Sequence, residues 1–300
     1  MKLSFLGFII GCVSCIFVLA SFDKVDEVRE IVSSYIPLPQ TVKAVKTNKV
    51  FDFAGEAVPT TSDCRERLDK QLLKNAYWHS STVLYIKRAN RYFPMMDRIL
   101  AERGIPSDFK YLAVAESGLE NARSHAGAQG FWQFMKAAGK QYGLEIYSEV
   151  DERYHVEKST HAAAKYIQYL YKRFGTWTDA AAAYNVGPTA YARILKKQQM
   201  DSYYDLNLNS ETAAYVFRVI AIKEIMQNPE QFGFYVDQED KYPPFENTYP
   251  VVIDKTVSSL GKFAKENGVS YRILKYYNPW LREEKLTVKS NTYTVQIPSR

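Results

Sequence analysis

Apolar residues recur at helical spacing through most of the chain between residues 63 and 235, and strand patterns are scarce there. The first apolar faces consist of Leu68, Leu72 and Leu73 and of Met95, Met96, Ile99 and Leu100. Later helices are predicted near residues 132–142, 157–173, 178–185, 188–199 and 211–227. This pattern predicts an all-α domain over residues 63–235.

One carboxylate interrupts the apolar pattern. Residues 105–108 (Ile-Pro-Ser-Asp) predict a helix start, because Pro and small polar residues favour the first turn. The apolar stripe that follows consists of Phe109, Leu112 and Ala113. Glu116 takes the i+7 position of that stripe, and Gly118 is expected to end the helix. A carboxylate held against apolar surface has a raised pKa, which a general acid needs near neutral pH. The alternative is a buried Glu116 paired with an Arg or Lys side chain.

Composition is that of a globular protein and argues against one class of partner. The chain of 300 residues is 46% hydrophobic and 24% charged, which is enough to build a real core. Its 23 Tyr residues offer flat faces with polar tips that suit sugar rings, although most are expected in the core. The net charge is +6, but no block of Lys and Arg stands out, so no nucleic-acid partner is expected.

The N-terminal segment is predicted to direct export. Residues 3–20 carry no charge and follow Lys2, which is typical of a signal peptide or an N-terminal membrane anchor over residues 1–20. Val18-Leu19-Ala20 is a passable cleavage site, and an uncleaved anchor stays open because the segment can almost span a bilayer. We therefore expect a cell-envelope or periplasmic protein, with membrane attachment through this segment as an option. Outside the leader only Cys64 remains, so no disulfide framework is expected.

Two further segments are predicted to connect folded parts. Residues 21–62 contain scattered Pro and little periodicity, which predicts a tether. The helical pattern breaks near Pro243-Pro244, which predicts a linker over residues 236–248. Residues 249–300 then follow the order strand, helix, helix, strand, with Ser270 as a cap of the second helix. We expect a small α+β (βααβ) module that is independent of the helical domain, which should stay folded without residues 245–300.

Short motifs follow one another along the helical domain. They are Glu116-Ser117, Gly130-Phe131-Trp132-Gln133-Phe134, Ala183-Tyr184-Asn185 before Gly187, and Glu211 to Val216 with Tyr215. Gly admits close backbone approach, and Gln supplies a neutral donor and acceptor. In this order the motifs resemble family 1 (SLT-type) lytic transglycosylases, whose domain is similar to goose-type lysozyme, over roughly residues 105–232. The family's usual Gly-Leu-Met-Gln appears here as Gly-Phe-Trp-Gln, which puts the shape of a sugar subsite in question.

The resemblance implies an all-α lysozyme-like catalytic domain and a reaction on the glycan strands of peptidoglycan. Glu116 would be the only catalytic carboxyl, acting as acid and then as base while the 6-hydroxyl of N-acetylmuramic acid (MurNAc) closes onto C1. The MurNAc-(β1,4)-N-acetylglucosamine bond would break without water and leave a 1,6-anhydro end. Ser117 and Gln133 would bind the substrate, Tyr184 and Asn185 would line the acid's side of the cleft, and Tyr215 would hydrogen-bond Glu116.

The residues also allow other roles. Ser117 could be a helix-end cap, Tyr184 and Tyr215 core residues, and Asn185 a turn residue. Ordinary glycosidases need two carboxyls about 5–9.5 Å apart, and the local candidates for a second one are Glu120 and Asp108. Glu120 is expected to face solvent, and Asp108 to lie in the first helical turn, where the helix dipole stabilises its charge. A single-acid mechanism fits better.

Other chemistry finds little support in the sequence. The four His residues (His79, His125, His155 and His161) lack the usual metal-ligand spacing, and one Cys cannot make a zinc site. No Gly-x-Ser-x-Gly elbow accompanies His125, although a Ser-His-Asp arrangement stays open. No phosphate-binding glycine loop is visible. Neither a metal nor a cofactor is expected.

The C-terminal module resembles a lysin motif (LysM), a small peptidoglycan-binding domain. The likeness rests on residues 259–264, 268–270, Leu274, Asn278-Pro279 and residues 293–298. The usual Gly-Asp-Thr after the first strand is replaced by Asp254-Lys255-Thr256, so the module is degenerate and either binds glycan or is structural. Two rivals to the whole interpretation remain: a lysozyme-like peptidoglycan hydrolase and a non-catalytic peptidoglycan-binding protein. Protein partners cannot be identified from the sequence.

Overall fold

The computed structural model describes residues 44–299. The predicted leader (residues 1–20) and most of the predicted tether lie outside the described residues. Among residues 44–299, no helix combines the length and the apolar character needed to cross a membrane.

The helical domain begins with a hairpin and continues through a series of helices. The elements are β1 (Asp52–Phe53), β2 (Glu56–Ala57), α1 (Ser62–Ala76), α2 (His79–Ala101), α3 (Lys110–Ser117), α4 (Lys136–Gln141), α5 (Val156–Phe174), α6 (Trp177–Val186), α7 (Pro188–Gln198) and α8 (Ser210–Gln227). Short 3-10 turns lie at Ser107–Phe109, Glu152–Tyr154, Tyr203–Asp205, Pro229–Phe232 and Gln238–Asp240.

The predicted helices α5 to α8 are confirmed to within one or two residues. The helix expected over residues 132–142 is shorter, because it begins only at Lys136 (α4). Gly130 and Gln133 have φ values of +80° and +48°, and a helix cannot pass through the left-handed region. Residues 130–134 therefore form a loop.

The core of the helical domain lies between α1, α2, α3, α5, α6 and α8. Alanines at 162–164 and 180–183 are almost fully buried, and their small side chains let α5 and α6 pack closely. α3 packs against α8, whose Val216, Phe217 and Val219 are fully buried. This packing places the end of α3 against the first turns of α8.

The tether prediction is wrong for residues 51–58. Phe51, Phe53 and Val58 are buried in the main core, and the Phe53 ring lies 5.1 Å from the Phe109 ring. The Glu56 carboxylate accepts hydrogen bonds from the backbone N–H groups of Trp177 (2.7 Å) and Thr178 (2.8 Å). It thus stabilises the N-terminus of α6, where backbone donors lack helical partners. The hairpin is part of the helical domain.

The C-terminal module has the predicted strand–helix–helix–strand order. Its elements are β3 (Thr248–Ile253), α9 (Leu260–Glu266), α10 (Tyr271–Tyr277) and β4 (Tyr293–Pro298). β3 and β4 are antiparallel, with Thr248 opposite Pro298 and Ile253 opposite Tyr293. Ser259 caps α9, and Ser270 caps α10 as expected.

The module packs against the helical domain and is not separate from it as expected, while folding of the helical domain without residues 245–300 stays a prediction. Val150 and Tyr154 of the helical domain belong to the module's core cluster, and Val150 forms a β-bridge with Leu281. The predicted linker also follows the surface of α2, since the Tyr242 N–H donates to the Lys87 carbonyl (3.0 Å). The patterning of the module does not reveal this interface, because its apolar residues also serve its own core.

Candidate active site

Glu116 lies in the last turn of α3. The stripe predicted for this helix is confirmed, since Phe109, Leu112 and Ala113 are fully buried. Gly118 ends the helix with φ +62°, and its N–H donates to the Val114 carbonyl at 2.8 Å. A side chain at this position would be strained and would approach the Tyr85 ring to 2.7 Å. The backbone therefore turns away directly after Glu116 and Ser117.

The Glu116 carboxylate has one direct side-chain partner among the described residues. The Tyr215 hydroxyl, on α8 and 1% exposed, donates a hydrogen bond of 2.7 Å to Glu116 Oε1. No Lys, Arg or His nitrogen of residues 44–299 forms a salt bridge with Glu116. The alternative of a paired, buried glutamate is therefore wrong.

Burial raises the pKa of Glu116 to about 7, while the hydrogen bond from Tyr215 and the nearby charge of Arg218 act in the opposite direction. The predicted raised pKa is thus confirmed. Burial, together with the adjacent Glu116, raises the pKa of both Tyr184 and Tyr215 well above the usual value. Both phenols therefore keep their protons across the physiological range and act as hydrogen-bond donors.

Glu116 opens into a groove of about 960 Å³ between α1, α2, α3 and α8. This volume is at the upper end of that of small-molecule sites and suits an extended ligand. Its lining residues include Lys70, Gln71, Lys74, Asn75, Trp78, Tyr85, Arg88, Glu116, Ser117, Glu120, Glu211 and Arg218. Trp78 is 57% exposed and offers the flat apolar surface on which sugar rings stack.

The other carboxylates of the groove are neutralised. Arg88 binds Glu120 and also donates to the Gly118 carbonyl at 3.0 Å, so it fixes the end of α3. Arg218 makes two hydrogen bonds to Glu211, of 3.0 and 3.1 Å. Among the described carboxylates that line the groove, Glu116 is thus the one without an ion pair.

Asp108, the other acid near Glu116 in sequence, is engaged elsewhere. Its Oδ2 accepts hydrogen bonds from the Ala54 N–H (2.7 Å) and the Lys223 ammonium (2.6 Å). Asp108 therefore joins the N-terminal hairpin to α8 and does not line the groove.

A loop at residues 127–134 closes the side of the site next to Ser117. The Ser117 hydroxyl lies 3.0 Å from the Ala113 carbonyl and 2.9 Å from the Phe131 carbonyl. The Tyr184 hydroxyl donates to the Trp132 carbonyl at 2.7 Å. The loop backbone is thus bonded both to the residue after Glu116 and to α6.

Two predicted site residues hold backbone or neighbouring side chains. The Gln133 amide donates to the carbonyls of Gly130 (2.7 Å) and Ala122 (3.2 Å), which leaves its oxygen as an acceptor. Asn185 Oδ1 accepts a hydrogen bond of 3.1 Å from Thr212. The structure therefore brings Glu116, Ser117 and Tyr215 together directly. Gln133, Tyr184 and Asn185 lie outside the lining of the groove.

Several groove residues were not predicted as site residues by the sequence analysis. Glu211, named there only as part of a motif, and Arg218 lie four residues before and three residues after Tyr215, so they share its face of α8. Lys70, Lys74 and Trp78 follow the same i, i+4 spacing along and just beyond α1. The helical spacing from Tyr215 would have predicted Glu211 and Arg218 on the same face. Lys70, Lys74 and Trp78 could be predicted only if the packing of α1 were known.

No metal-binding arrangement stands out in the part of the chain that the structure describes. Within residues 44–299 no group of three or more His, Cys, Asp or Glu side chains is placed to hold an ion. Cys64 is buried in the main core.

Comparisons with known proteins agree with this architecture. Residues 97–207 match the model of the Transglycosylase SLT domain, and residues 249–300 match that of the Soluble lytic transglycosylase C-terminal LysM-like domain. Membrane-bound lytic murein transglycosylase D of Escherichia coli strain K12 is 28% identical over 249 residues, which is 81% of this chain and 53% of that protein. The protein of the same name from Escherichia coli O6:H1 gives the same values.

The chain thus spans about half the length of the curated relatives that it matches. A solved structure, that of an inactive mutant of the lytic transglycosylase Slt from Pseudomonas aeruginosa, is 21% identical, with a TM-score of 0.39. The match covers 60% of this chain and 35% of the solved chain. On the two family models, this chain contains an SLT domain followed by a LysM-like domain of the type found at the C-terminus of soluble lytic transglycosylases.

Proposed function

We propose that this protein is a lytic transglycosylase that cleaves the MurNAc-(β1,4)-N-acetylglucosamine bond of peptidoglycan without water. The observation that carries the proposal is Glu116, a carboxyl with a pKa of about 7 at the wall of a groove of about 960 Å³, without an ion pair among the described residues. A group with this pKa is protonated in half of the molecules near neutral pH and can both give and take a proton. The relatives, which are named lytic murein transglycosylases, supply the substrate class.

The reaction uses Glu116 twice. Its carboxylic acid first gives a proton to the glycosidic oxygen, the bond from C1 of MurNAc to that oxygen breaks, and the N-acetylglucosamine part leaves as an alcohol. The resulting carboxylate then takes the proton of the MurNAc 6-hydroxyl, whose oxygen bonds to C1. Atoms balance without water, and Glu116 regains its proton. The Tyr215 hydroxyl stabilises the carboxylate in the interval, because it donates a hydrogen bond to Oε1.

The pairing of the other groove carboxylates favours this route over hydrolysis. A hydrolase needs a second carboxylate to activate water or to attack C1. Glu120 and Glu211 are both bound to arginines, and Asp108 is bound to Lys223 and a backbone N–H. An intramolecular hydroxyl needs no such second group, and a well-oriented one has a high effective concentration at C1.

Digestion of peptidoglycan in heavy-oxygen water tests the proposal. We expect products with 1,6-anhydro-MurNAc ends that carry no label and that are one water lighter than hydrolytic products. A label at C1 in most products, absent with Glu116→Gln, would replace the proposal by lysozyme-like hydrolysis. Binding to peptidoglycan with no products would replace it by a non-catalytic binding protein.

We also propose that the protein acts in the cell envelope, delivered by the apolar segment at residues 3–20. Two of the relatives are named as membrane-bound proteins, which agrees with this location. Cell fractionation followed by mass measurement of the intact protein tests it. A new terminus at Ser21 indicates a cleaved signal, an intact leader in the membrane fraction indicates an anchor, and recovery from the cytosol contradicts the proposal.

A further inference from the structure

Arg153 lies beneath the loop at residues 127–134 and bonds it at several points. Its guanidinium donates to the carbonyls of Phe134 (3.1 Å) and Gly127 (3.3 Å) and to Gln129 Oε1 (2.8 Å). Arg153 is 5% exposed, so solvent competes little with these bonds. The loop contains no helix or strand, and besides isolated bridges from Gln129 to Arg123 and to Phe134 it is held by these contacts of Arg153.

The loop and the backbone of Arg153 are also in close contact at Gly130. A Cβ atom at this position would lie 1.9 Å from the Arg153 carbonyl oxygen, and the φ of Gly130 is +80°. Only glycine lets the two backbones approach so closely. A shift of the Arg153 backbone toward Gly130 would therefore push directly on the loop, whose next two carbonyls accept hydrogen bonds from Ser117 and Tyr184.

Asp151 holds Arg153 in its orientation. The Asp151 carboxylate accepts hydrogen bonds from Arg153 Nε (2.9 Å) and Nη2 (2.7 Å). Both side chains are almost completely buried. A planar guanidinium matches this fork, and the ammonium of Lys does not.

The C-terminal module holds the segment that carries Asp151. The Asp151 N–H donates to the Trp280 carbonyl (2.9 Å), and the Arg282 N–H donates to the Glu149 carbonyl (2.8 Å). The Glu149 carboxylate accepts hydrogen bonds from the Thr287 N–H (2.6 Å) and hydroxyl (3.1 Å). Val150, between these two acids, is fully buried in the core of the module. Residues 149–151 are thus fixed to the module by backbone hydrogen bonds and by the side chains of Glu149 and Val150.

We propose that Arg153 is a positioning residue for the loop beside Glu116, and that the C-terminal module braces this loop by holding residues 149–151. The expected effect on catalysis rests on the proposed function. The support of the loop by the module does not depend on it. The module then acts on the reaction through contact with the helical domain, whether or not it binds glycan.

Three variants of the full chain test the proposal. Arg153→Lys keeps the charge but loses the planar fork, and Glu149→Ala weakens the grip of the module without touching the loop. The matched control is Val295→Ala, which creates a cavity in the core of the module but removes none of the hydrogen bonds that hold residues 149–153. All are compared at a temperature at which each variant is folded by circular dichroism.

The rate of amide hydrogen exchange of residues 124–134, measured without substrate, tests whether the module supports the loop. We expect exchange to rise about tenfold in Arg153→Lys, to rise less in Glu149→Ala, and to stay at the wild-type rate in Val295→Ala. The variant that combines Arg153→Lys with Glu149→Ala should exchange only slightly faster than Arg153→Lys alone, because both substitutions act on the same series of contacts. Unchanged exchange, or an equal rise in Val295→Ala, would overturn the brace, and neither outcome depends on what reaction the protein catalyses.

Steady-state kinetics on a soluble peptidoglycan fragment measure the effect on catalysis. We expect kcat of Arg153→Lys to fall about 10²-fold with a small change in KM, since misplacement by about 1 Å costs this much. The fall of kcat/KM above pH 7 should keep its midpoint, because Glu116 and Tyr215 are untouched. Faster exchange with wild-type kcat would overturn the positioning role.

Discussion

The hydroxyl of Tyr215 lies 2.7 Å from Glu116 Oε1, and the two residues are 99 positions apart in the chain. The contact exists because α3 packs against α8, so the apolar face that buries Glu116 also brings its hydrogen-bond donor. Burial favours the protonated acid, whereas the phenol favours the carboxylate. The balance leaves the pKa near the pH at which a group that both gives and takes a proton is most effective.

Replacement of Glu116 by Gln should nearly abolish release of muropeptides while the fold is kept. Gln preserves the shape but cannot transfer a proton, and general acid–base catalysis contributes about 10²–10⁴-fold. The measurement is the rate of soluble product release from sacculi, with Glu230→Gln, at an exposed position after α8, as the control. Retention of more than about a tenth of the activity would contradict the assignment of Glu116.

The pH profile should depend on the same pair. Since Glu116 must start protonated, kcat/KM should fall as the pH rises through about 7. Tyr215→Phe removes the hydrogen bond that lowers the pKa of Glu116, so the midpoint of this fall should move to higher pH, by about one unit. Tyr235→Phe, at a position 78% exposed, is the control. A midpoint that stays in place or moves to lower pH would show that Tyr215 does not tune Glu116.

Stability should reveal the cost of burying Glu116. The folded-state pKa of about 7 exceeds the ordinary value of 4.5, so between these pH values the unfolded chain ionises while the folded protein stays protonated. The wild type therefore loses stability relative to Glu116→Gln as the pH rises from 4.5 to 7. The difference should reach about 3 kcal/mol above pH 7 and disappear below pH 4.5.

Denaturant unfolding of both proteins at pH 4 and pH 8 measures this difference. Glu230→Gln serves again as the exposed control and should show no comparable change. A Glu116→Gln protein that is no more stable than the wild type at pH 8 would contradict the raised pKa.

The residues of α3 were sufficient to predict much of the site. A helix start at Ile105-Pro106, an apolar stripe and Gly118 together located Glu116 and its raised pKa, because all of these signals are local. The partners of Glu116 could be named only through the family resemblance, since the distance between α3 and α8 is set by packing. Arg218, which is partly buried, and Trp78, which is exposed, were missed because side chains outside the core carry no periodic signal of their own.

The position of the C-terminal module could not be predicted for a similar reason. Pro243-Pro244 indicates a break in the helical pattern, but not whether the two sides touch. The decisive contacts use Val150 and the backbone of Trp280, and backbone groups leave no trace in the sequence. The segment before Ser62 was likewise misjudged, because a hairpin with two-residue strands is too short to show alternation.

The N-terminal hairpin should therefore be required for the stability of the helical domain. Phe53 is fully buried against Phe109, the first residue of the stripe that ends at Glu116. Truncation of a buried Phe to Ala removes its transfer free energy and leaves a cavity, which typically costs 3–5 kcal/mol. We expect Phe53→Ala to lower the free energy of unfolding by about 3 kcal/mol or more in denaturant titrations. Val50→Ala, three residues earlier and at a site 71% exposed, should cost less than about 0.5 kcal/mol. Equal, small effects of the two substitutions would return residues 51–58 to the role of a tether.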